Sequence, residues 1–381
     1  MSSKPRIKVL HIVTRMNVGG VAVLLDNLMR STDTEKFEIG LLTGTCEIPE
    51  VDYLEGRVTK YELYRVSTFH KSMHFREDMA SFFRIIQIIR KFKPDIIHTH
   101  TSKAGLFGRV AGFVFYPRAK RVHTFHGHLL VGYFGRLKLT IVKTVESLLA
   151  RITDGLIAMG SQVRLDLLDA GIGTSKKLSV LYPGLKMPSF PGKSEARSSL
   201  FLDKEKLYVL YIGRLTGIKR PERILDVARF TKNSMHDIHF LIAGDGDLTE
   251  SLKVTSESEG LPITFLGWRS DIPTLLSASD ILLLTSDNEA VALTLIEGAQ
   301  ASLPLITTGA GAVRDIAIDQ ENAIVTDFNS QHLANAVVLL ATEPTKRLEM
   351  GRKGRAIAEE KFSISRMVQD HQTYYQEILN L

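Results

Sequence analysis

The sequence predicts an α/β protein of two domains, each built on a doubly wound parallel sheet, and three observations carry that prediction. The chain has 381 residues, more than one ordinary hydrophobic core organises. A strand, a glycine-containing loop and a helix follow one another twice, once in each half. Short unbroken apolar runs alternate with helical segments, the pattern of strands buried on both faces of a parallel sheet.

The first opening is the run Ile7–Val13, which ends in Asn17-Val18-Gly19-Gly20 before an apolar-periodic helix from Val21 to about Arg30. Further strands are expected over residues 95–100, 121–126 and 155–159. The second opening is Leu207–Ile212, followed by Gly213-Arg214, a loop to Lys219 and a helix from Pro221 to about Phe230. Proline suits the first turn of that helix. Residues 238–243, 263–266, 280–284 and 305–308 supply the remaining strands. Between the halves, Tyr182 to Gly192 holds three prolines and two glycines and reads as a linker. A last helix over about 363–380 presents Met367, Tyr374, Ile378 and Leu379. The expected domains are residues 1–186 and 187–362, with residues 363–381 a C-terminal helix crossing back onto the first.

Composition narrows the function classes. Hydrophobic residues are 44 % and charged residues 24 %, the balance of a soluble globular protein. The single cysteine, Cys46, permits no intrachain disulfide, which fits a reducing cytoplasm. No signal-peptide core follows the N-terminus, and no window reaches the ~18 apolar residues of a membrane span. The expectation is a cytoplasmic protein that is soluble or peripheral on the cytoplasmic membrane face. Charge is uneven. Through residue 190 there are 28 Lys and Arg against 16 Asp and Glu, and beyond it 20 against 26. A basic first half suggests an anionic partner such as phospholipid headgroups or a lipid-linked diphosphate. No nucleic-acid motif accompanies it, and no nucleic-acid partner is expected.

In open parallel sheets, ligands bind where strand ends meet helix N-termini. Gly19-Gly20 occupies such a place and lets a backbone N–H approach a phosphate, but the G-x-G-x-x-G of a dinucleotide enzyme is absent. Arg214 and Lys219 flank the corresponding second loop, a fork of donors and a mobile point charge suited to a diphosphate. The stretch from Thr285 to Ala299 reads as loop then helix. Glu289 stands near its entrance and Glu297 about two turns in, so both carboxylates are expected on one side. Glu297 lies in an apolar run and is expected to have a partner. Asp245-Gly246-Asp247 reads as a structural turn. His98 and His100, two apart on a strand, and His126 and His128 have no cysteine or carboxylate ligands beside them, so no metal site is expected.

These residues, in this order and spacing, resemble the family 4 retaining glycosyltransferases, over essentially the whole chain. The motifs that carry the likeness are Gly19-Gly20, Gly213-Arg214-Leu215 to Lys219, Ala243-Gly244-Asp245-Gly246, Phe265-Leu266-Gly267 and the pair Glu289/Glu297. The resemblance implies the GT-B fold, two Rossmann-like domains facing a central cleft, and a metal-independent hexosyltransferase without cofactor. The substrate is a nucleotide-diphosphate sugar, UDP favoured, and the sugar moved is a hexose or N-acetylhexosamine. It implies that Arg214 and Lys219, with Gly213, neutralise the donor diphosphate and that Gly20, beside Gly19, contributes a backbone donor. The backbone of Ala290, Val291, Ala292 and Leu293 faces the phosphates, and Glu297 binds the ribose. The base lies against Leu266, Trp268 and Arg269, Glu289 holds the sugar hydroxyls, and His126 approaches the sugar. The catalytic set is thus His126, Glu289, Arg214 and Lys219. Three departures bear on donor preference. Ala290 and Ser302 replace the family's glycines, and Gly311-Ala312 stands where a glycine pair is common.

His126-Gly127-His128 with Gly132-Tyr133-Phe134 resembles bacterial transferases that build surface polysaccharides on lipid carriers. Tyr133–Lys143 mixes aromatics, aliphatics and cations, and reads as an interfacial segment or a core helix with a solvated edge. A saccharide or lipid-linked saccharide acceptor is therefore expected, with an anionic membrane surface as a partner of the basic first domain and the protein itself a monomer or weak dimer. Two alternatives stay open, a sugar-nucleotide 2-epimerase of the same architecture and a non-catalytic nucleotide-sugar-binding module.

Overall fold

The structure, a computed structural model, describes residues 5–48, 50–127, 136–186, 189–232, 237–290 and 292–380, the side chains of Arg136 and Leu137 excepted. The chain divides into two compact units, Met1–Gly184 with Ile364–Leu381, and Leu185–Ser363.

The first unit runs β1 (Ile7–Val13), α1 (Gly20–Ser31), β2 (Phe37–Thr43), β3 (Glu62–Arg65), α2 (Phe75–Phe92), β4 (Ile96–His100), α3 (Ser102–Phe115), β5 (Lys120–Phe125), α4 (Arg136–Arg151), β6 (Gly155–Ala158), α5 (Ser161–Asp169) and β7 (Leu178–Val180). Its seven strands lie in the order β3-β2-β1-β4-β5-β6-β7, all parallel. The order reverses between β1 and β4, so loops leaving those neighbours diverge and open a crevice at their carboxyl ends. Strand β1 shows the period of two: Val9 and Val13 join the core under α1, while Leu10 and Ile12 join the core under α2 and α3. Strands β2, β3 and β7 were not among the apolar runs singled out in the sequence. Glu38 and Gly40 break the run in β2, and β3 and β7 are four and three residues long. Gly40 is explained by packing, since a Cβ there would stand 2.9 Å from the Phe92 ring.

The second unit runs α6 (Lys193–Ser199), β8 (Leu207–Ile212), α7 (Glu222–Thr231), β9 (Ile238–Ala243), α8 (Thr249–Ser258), β10 (Ile263–Gly267), α9 (Ile272–Ala278), β11 (Ile281–Leu284), α10 (Leu293–Gln300), β12 (Leu305–Thr308), β13 (Ala323–Thr326), α11 (Ser330–Thr342) and α12 (Pro344–Lys361). Its strand order, β10-β9-β8-β11-β12-β13, repeats the logic, with the reversal between β8 and β11. Pro221 stands one residue ahead of α7, at its N-cap, with φ −65° already helical.

The last helix, α13 (Ile364–Asn380), is part of the first unit and packs along α1. Its buried residues Met367, Val368, His371, Tyr375 and Ile378 recur at helical spacing. A Cβ on Gly155 would lie 2.1 Å from the Tyr374 hydroxyl, so that glycine is what admits the helix against β6. Among the described residues no helix is long and apolar enough to cross a membrane.

Candidate functional site

In the second unit, the loops after β8, β9 and β10 extend the sheet's hydrogen bonding past the strands. Gly213 N donates to Ala243 O (3.0 Å), Leu215 N to Asp245 O (3.0 Å) and Gly244 N to Gly267 O (2.8 Å). Glycine is required here. A Cβ on Gly244, at φ 142°, would sit 1.9 Å from Gly213 O, and one on Gly246 would sit 2.3 Å from Leu215 O. The crevice these loops enclose, about 250 Å³, is lined by Gly213, Arg214, Gly244, Trp268, Arg269 and Ile272 among others. Arg214 and Trp268 are exposed on it, Leu266 is half-buried beside it, and Arg269 is clamped by Asp271 at 2.5 and 2.8 Å. Asp245 accepts from Gly246 N (2.8 Å) and Thr249 Oγ1 (2.6 Å), which hold its carboxyl below the usual range and occupy it in the turn.

Across the reversal, the segment after β11 carries the carboxylates. Glu289 is 8 % exposed, and its Oε1 accepts from Lys219 Nζ at 2.5 Å and from Ser286 Oγ at 2.6 Å. The loops are tied by Thr285 Oγ1 donating to Lys219 O (3.1 Å), Asp287 N to Ile218 O (3.0 Å), and Arg223 Nη1 to Thr285 O (2.8 Å) and Asp287 Oδ1 (2.6 Å). Ala312 N donates to Glu289 O at 3.0 Å, so the Gly311-Ala312 turn fixes the glutamate's backbone. Gly311 has φ 58° there.

One expectation is corrected. Helix α10 begins only at Leu293, with Ala292 as its N-cap, so Glu289 precedes the helix and Glu297 lies about one turn inside it. The backbone from Thr285 to Ala290 is instead held by side chains and by the turn at Ala312, which leaves no helical ladder to align the two glutamates. The Glu297 carboxylate also lacks the expected partner, since no described residue hydrogen-bonds or ion-pairs with it. Burial alone raises its carboxyl to about 7. Ala290 is half-buried in the loop, Ala292 is buried, and Val291 lies outside the described residues. Ser302, just past α10, takes φ 59°, the left-handed conformation that glycine adopts without strain.

The switch point of the first unit is of a different kind. Gly19 is the N-cap of α1 and Gly20 its first residue, both exposed after β1. Thr101, after β4, has φ 66° and bonds Thr14 Oγ1 at 2.8 Å. Beneath them histidines accumulate. Register places His11 beside His98, and the ligand-capable atoms of His11, His98 and His100 lie within 4.8 Å of one another. Sequence spacing missed this grouping because His11 comes from another strand. Hydrogen bonds occupy it: His98 bonds Tyr375 Oη and Thr124 Oγ1, each at 2.7 Å. His11 Nδ1 bonds His100 Nε2 (3.0 Å), and His100 Nδ1 bonds His126 Nε2 (2.9 Å). The other nitrogen of His126 is buried with no partner among the described residues. Burial pushes His11 down to about 3 and His126 to about 4, with the nearby His371 adding to both, so the rings are neutral at pH 7. His128 and residues 132–135 lie outside the described residues.

Thr14, Thr101, Thr285, Ser286, Arg223 and Asp287 were not picked out from the sequence. The signal available was a hydroxyl residue just past an apolar strand, as in Leu284-Thr285-Ser286.

Residues 18–187 match the family model for Glycosyltransferase Family 4, and residues 192–357 match that for Glycosyl transferases group 1. An Escherichia coli relative, the UDP-Gal:alpha-D-GlcNAc-diphosphoundecaprenol alpha-1,3-galactosyltransferase, is 26 % identical over 347 residues, 88 % of either chain. The capsular polysaccharide biosynthesis glycosyltransferase CapM of Staphylococcus aureus is 21 % identical over 332 residues, covering 84 % of this chain and 86 % of the relative. Among solved structures, HepE of Anabaena in complex with UDP superposes with TM-score 0.80 at 21 % identity, over 97 % of this chain and all of that one. Sucrose-phosphate synthase of Thermosynechococcus elongatus gives 0.84 at 18 % identity, over 98 % of this chain and 100 % of that one. With both halves matched in order on two reversing parallel sheets, the chain belongs to the family 4 glycosyltransferases of GT-B fold.

Proposed function

We propose that the protein moves a hexose or N-acetylhexosamine from a UDP-sugar to a lipid-linked saccharide acceptor in surface-polysaccharide synthesis, with retention and without a metal or other cofactor. The observation that carries the reading is Lys219, ion-paired with Glu289 beside the glycine-walled crevice that Arg214 overhangs. The E. coli relative's name states a UDP-galactose donor and a diphosphoundecaprenol-linked acceptor, and HepE has been solved with UDP-glucose; both favour this donor and acceptor class.

The chemistry follows from charge. Breaking the anomeric bond puts negative charge on the diphosphate and positive charge on the sugar. Arg214, Lys219 and the N-terminus of α10, at Ala292 and Leu293, stabilise the leaving group in the role a metal fills elsewhere. Donor entry exchanges the Lys219–Glu289 pair, giving the ammonium to phosphate and the carboxylate to sugar hydroxyls. The unpartnered Glu297 accepts the ribose hydroxyls, and Trp268 and Arg269 border the base. The leaving phosphate oxygen takes the acceptor's proton, on the face it vacates.

The test is release of free nucleotide diphosphate from a panel of UDP-, GDP- and ADP-sugars with chelator present. Release from a UDP-sugar that persists with chelator and disappears in Glu289→Ala is expected. Dependence on added divalent metal, or preference for another nucleotide, overturns the corresponding part of the reading. Anomeric configuration of the product, read by NMR, decides retention.

A further inference from the structure

Away from the strand ends, helices α2, α3 and α4 lie side by side on the first unit. A helix on a parallel sheet ordinarily turns a polar face to water. The outer face of α3 carries no charge at all, with Phe113 and Val114 49 % and 56 % exposed. On α2, Phe83 is 54 % exposed and Met79 41 %, and on α4, Ile141 is 56 % exposed and Leu148 53 %. Apolar residues scattered singly need no explanation, but a run across three neighbouring helices does.

The charges among them have one sign. Arg76, Arg84, Arg90 and Lys91 are exposed on α2, Arg118 follows α3 and Arg151 ends α4. The carboxylates of these helices are withdrawn, Asp78 with Lys103 and Glu146 with Arg109 at 2.7 Å, both buried, so that Glu77 is the exposed acid among the described residues of the three helices. Cations also stand over aromatic rings: the Arg90 guanidinium is 5.9 Å from the Phe115 centroid, Arg118 4.3 Å from Tyr116 and Arg121 5.7 Å from Phe113. Arg121 pairs with Asp154 at 2.6 Å, but the exposed arginines here have no acidic partner among the described residues. Apolar side chains interleaved with such cations are what a headgroup region accommodates, the rings and aliphatics entering the acyl boundary and the cations pairing with lipid phosphate.

We propose that the outer faces of α2, α3 and α4 form one surface that seats on an anionic phospholipid bilayer. This deepens the reading of a lipid-linked acceptor but is tested apart from it, because vesicles free of any acceptor suffice. The full chain is sedimented with vesicles of phosphatidylglycerol and phosphatidylcholine, and with phosphatidylcholine alone. Binding to the anionic vesicles is expected, falling about tenfold or more in the triple variant F83S/F113S/I141S and again, independently, in R84E/R90E. All five side chains are exposed, and nucleotide diphosphate release in solution serves as the fold control. Undiminished binding by either variant, or equal binding to phosphatidylcholine, overturns the proposal. So does a wild-type dimer that the triple variant converts to monomer, which would make the face a contact between copies. Absence of release from every donor would count against the transfer reading and leave the vesicle result standing.

Discussion

The two sheets reverse strand order in the same way, yet their switch points are furnished oppositely. After β8 and β11 the side chains are charged: Arg214 and Asp287 exposed, Lys219 half-buried, and Glu289 and Arg223 buried in ion pairs with Lys219 and Asp287. Within β1 and β4 of the first unit they are neutral rings in the interior, His11, His98 and His100, with His126 just past β5 at the edge. The difference is one of solvation. An ion pair persists beside an open crevice because water and ligand share the cost of its charge, whereas a buried cluster stays uncharged and satisfies itself by hydrogen bonds. The charged end is suited to a diphosphate, and the neutral end holds the geometry of its edge.

The largest effect that separates the two ends is acidification. His11, His98, His100, His123, His126 and His371 all have pKa values lowered, chiefly by burial. An unfolded chain takes up protons near 6.5 that the folded one refuses, His126 until about 4 and His11 until about 3, so stability is complete above 6.5 and falls as pH drops below it. The slope is about 1.4 kcal/mol per pH unit for each fully engaged histidine. Hydrogen exchange between pH 7 and 5 is expected to deprotect β1, β4 and β5 while leaving β8 and β11 protected. Equal loss in both sheets would break the comparison.

Next in size is Lys219→Ala. Removing a preorganised cation from a leaving group lowers turnover about 10²- to 10³-fold, and the variant is expected to keep the wild-type melting temperature because Glu289 retains Ser286. A large fall in melting temperature with modest loss of turnover would place the pair with structure rather than chemistry.

The smallest effect sharpens the contrast within the second unit. Burial raises Glu297 to about 7, so its ionisation costs the folded state as pH rises above the unfolded value of 4.5. Glu297→Gln is expected to melt a few degrees above wild type at pH 8, with the gain vanishing near pH 4.5, while nucleotide binding weakens in calorimetry. An equal melting point at pH 8 would mean that the carboxylate already has a partner in solution.

Much of this was legible in advance. The repeated strand–glycine–helix openings and the apolar runs announce two parallel sheets, because burial on both faces forces continuous hydrophobicity. Arg214, Lys219, Glu289 and Glu297 stand out as charges at strand ends or inside apolar runs. The shortfall has physical causes. Strands β2, β3 and β7 are short or broken by polar residues and are set by pairing. The helix start at Leu293 depends on bonds from Ala312 and Ser286 that no local pattern announces.

What the sequence determined by itself is the architecture and the residue types at the strand ends, since periodicity and burial are local properties of a chain. Only the tertiary structure decided which of those residues meet. Lys219 reaches Glu289 across 70 positions, and His11 joins His100 across 89, because strand order reverses beside them. Contact across such separations is fixed by sheet register, which no single segment encodes.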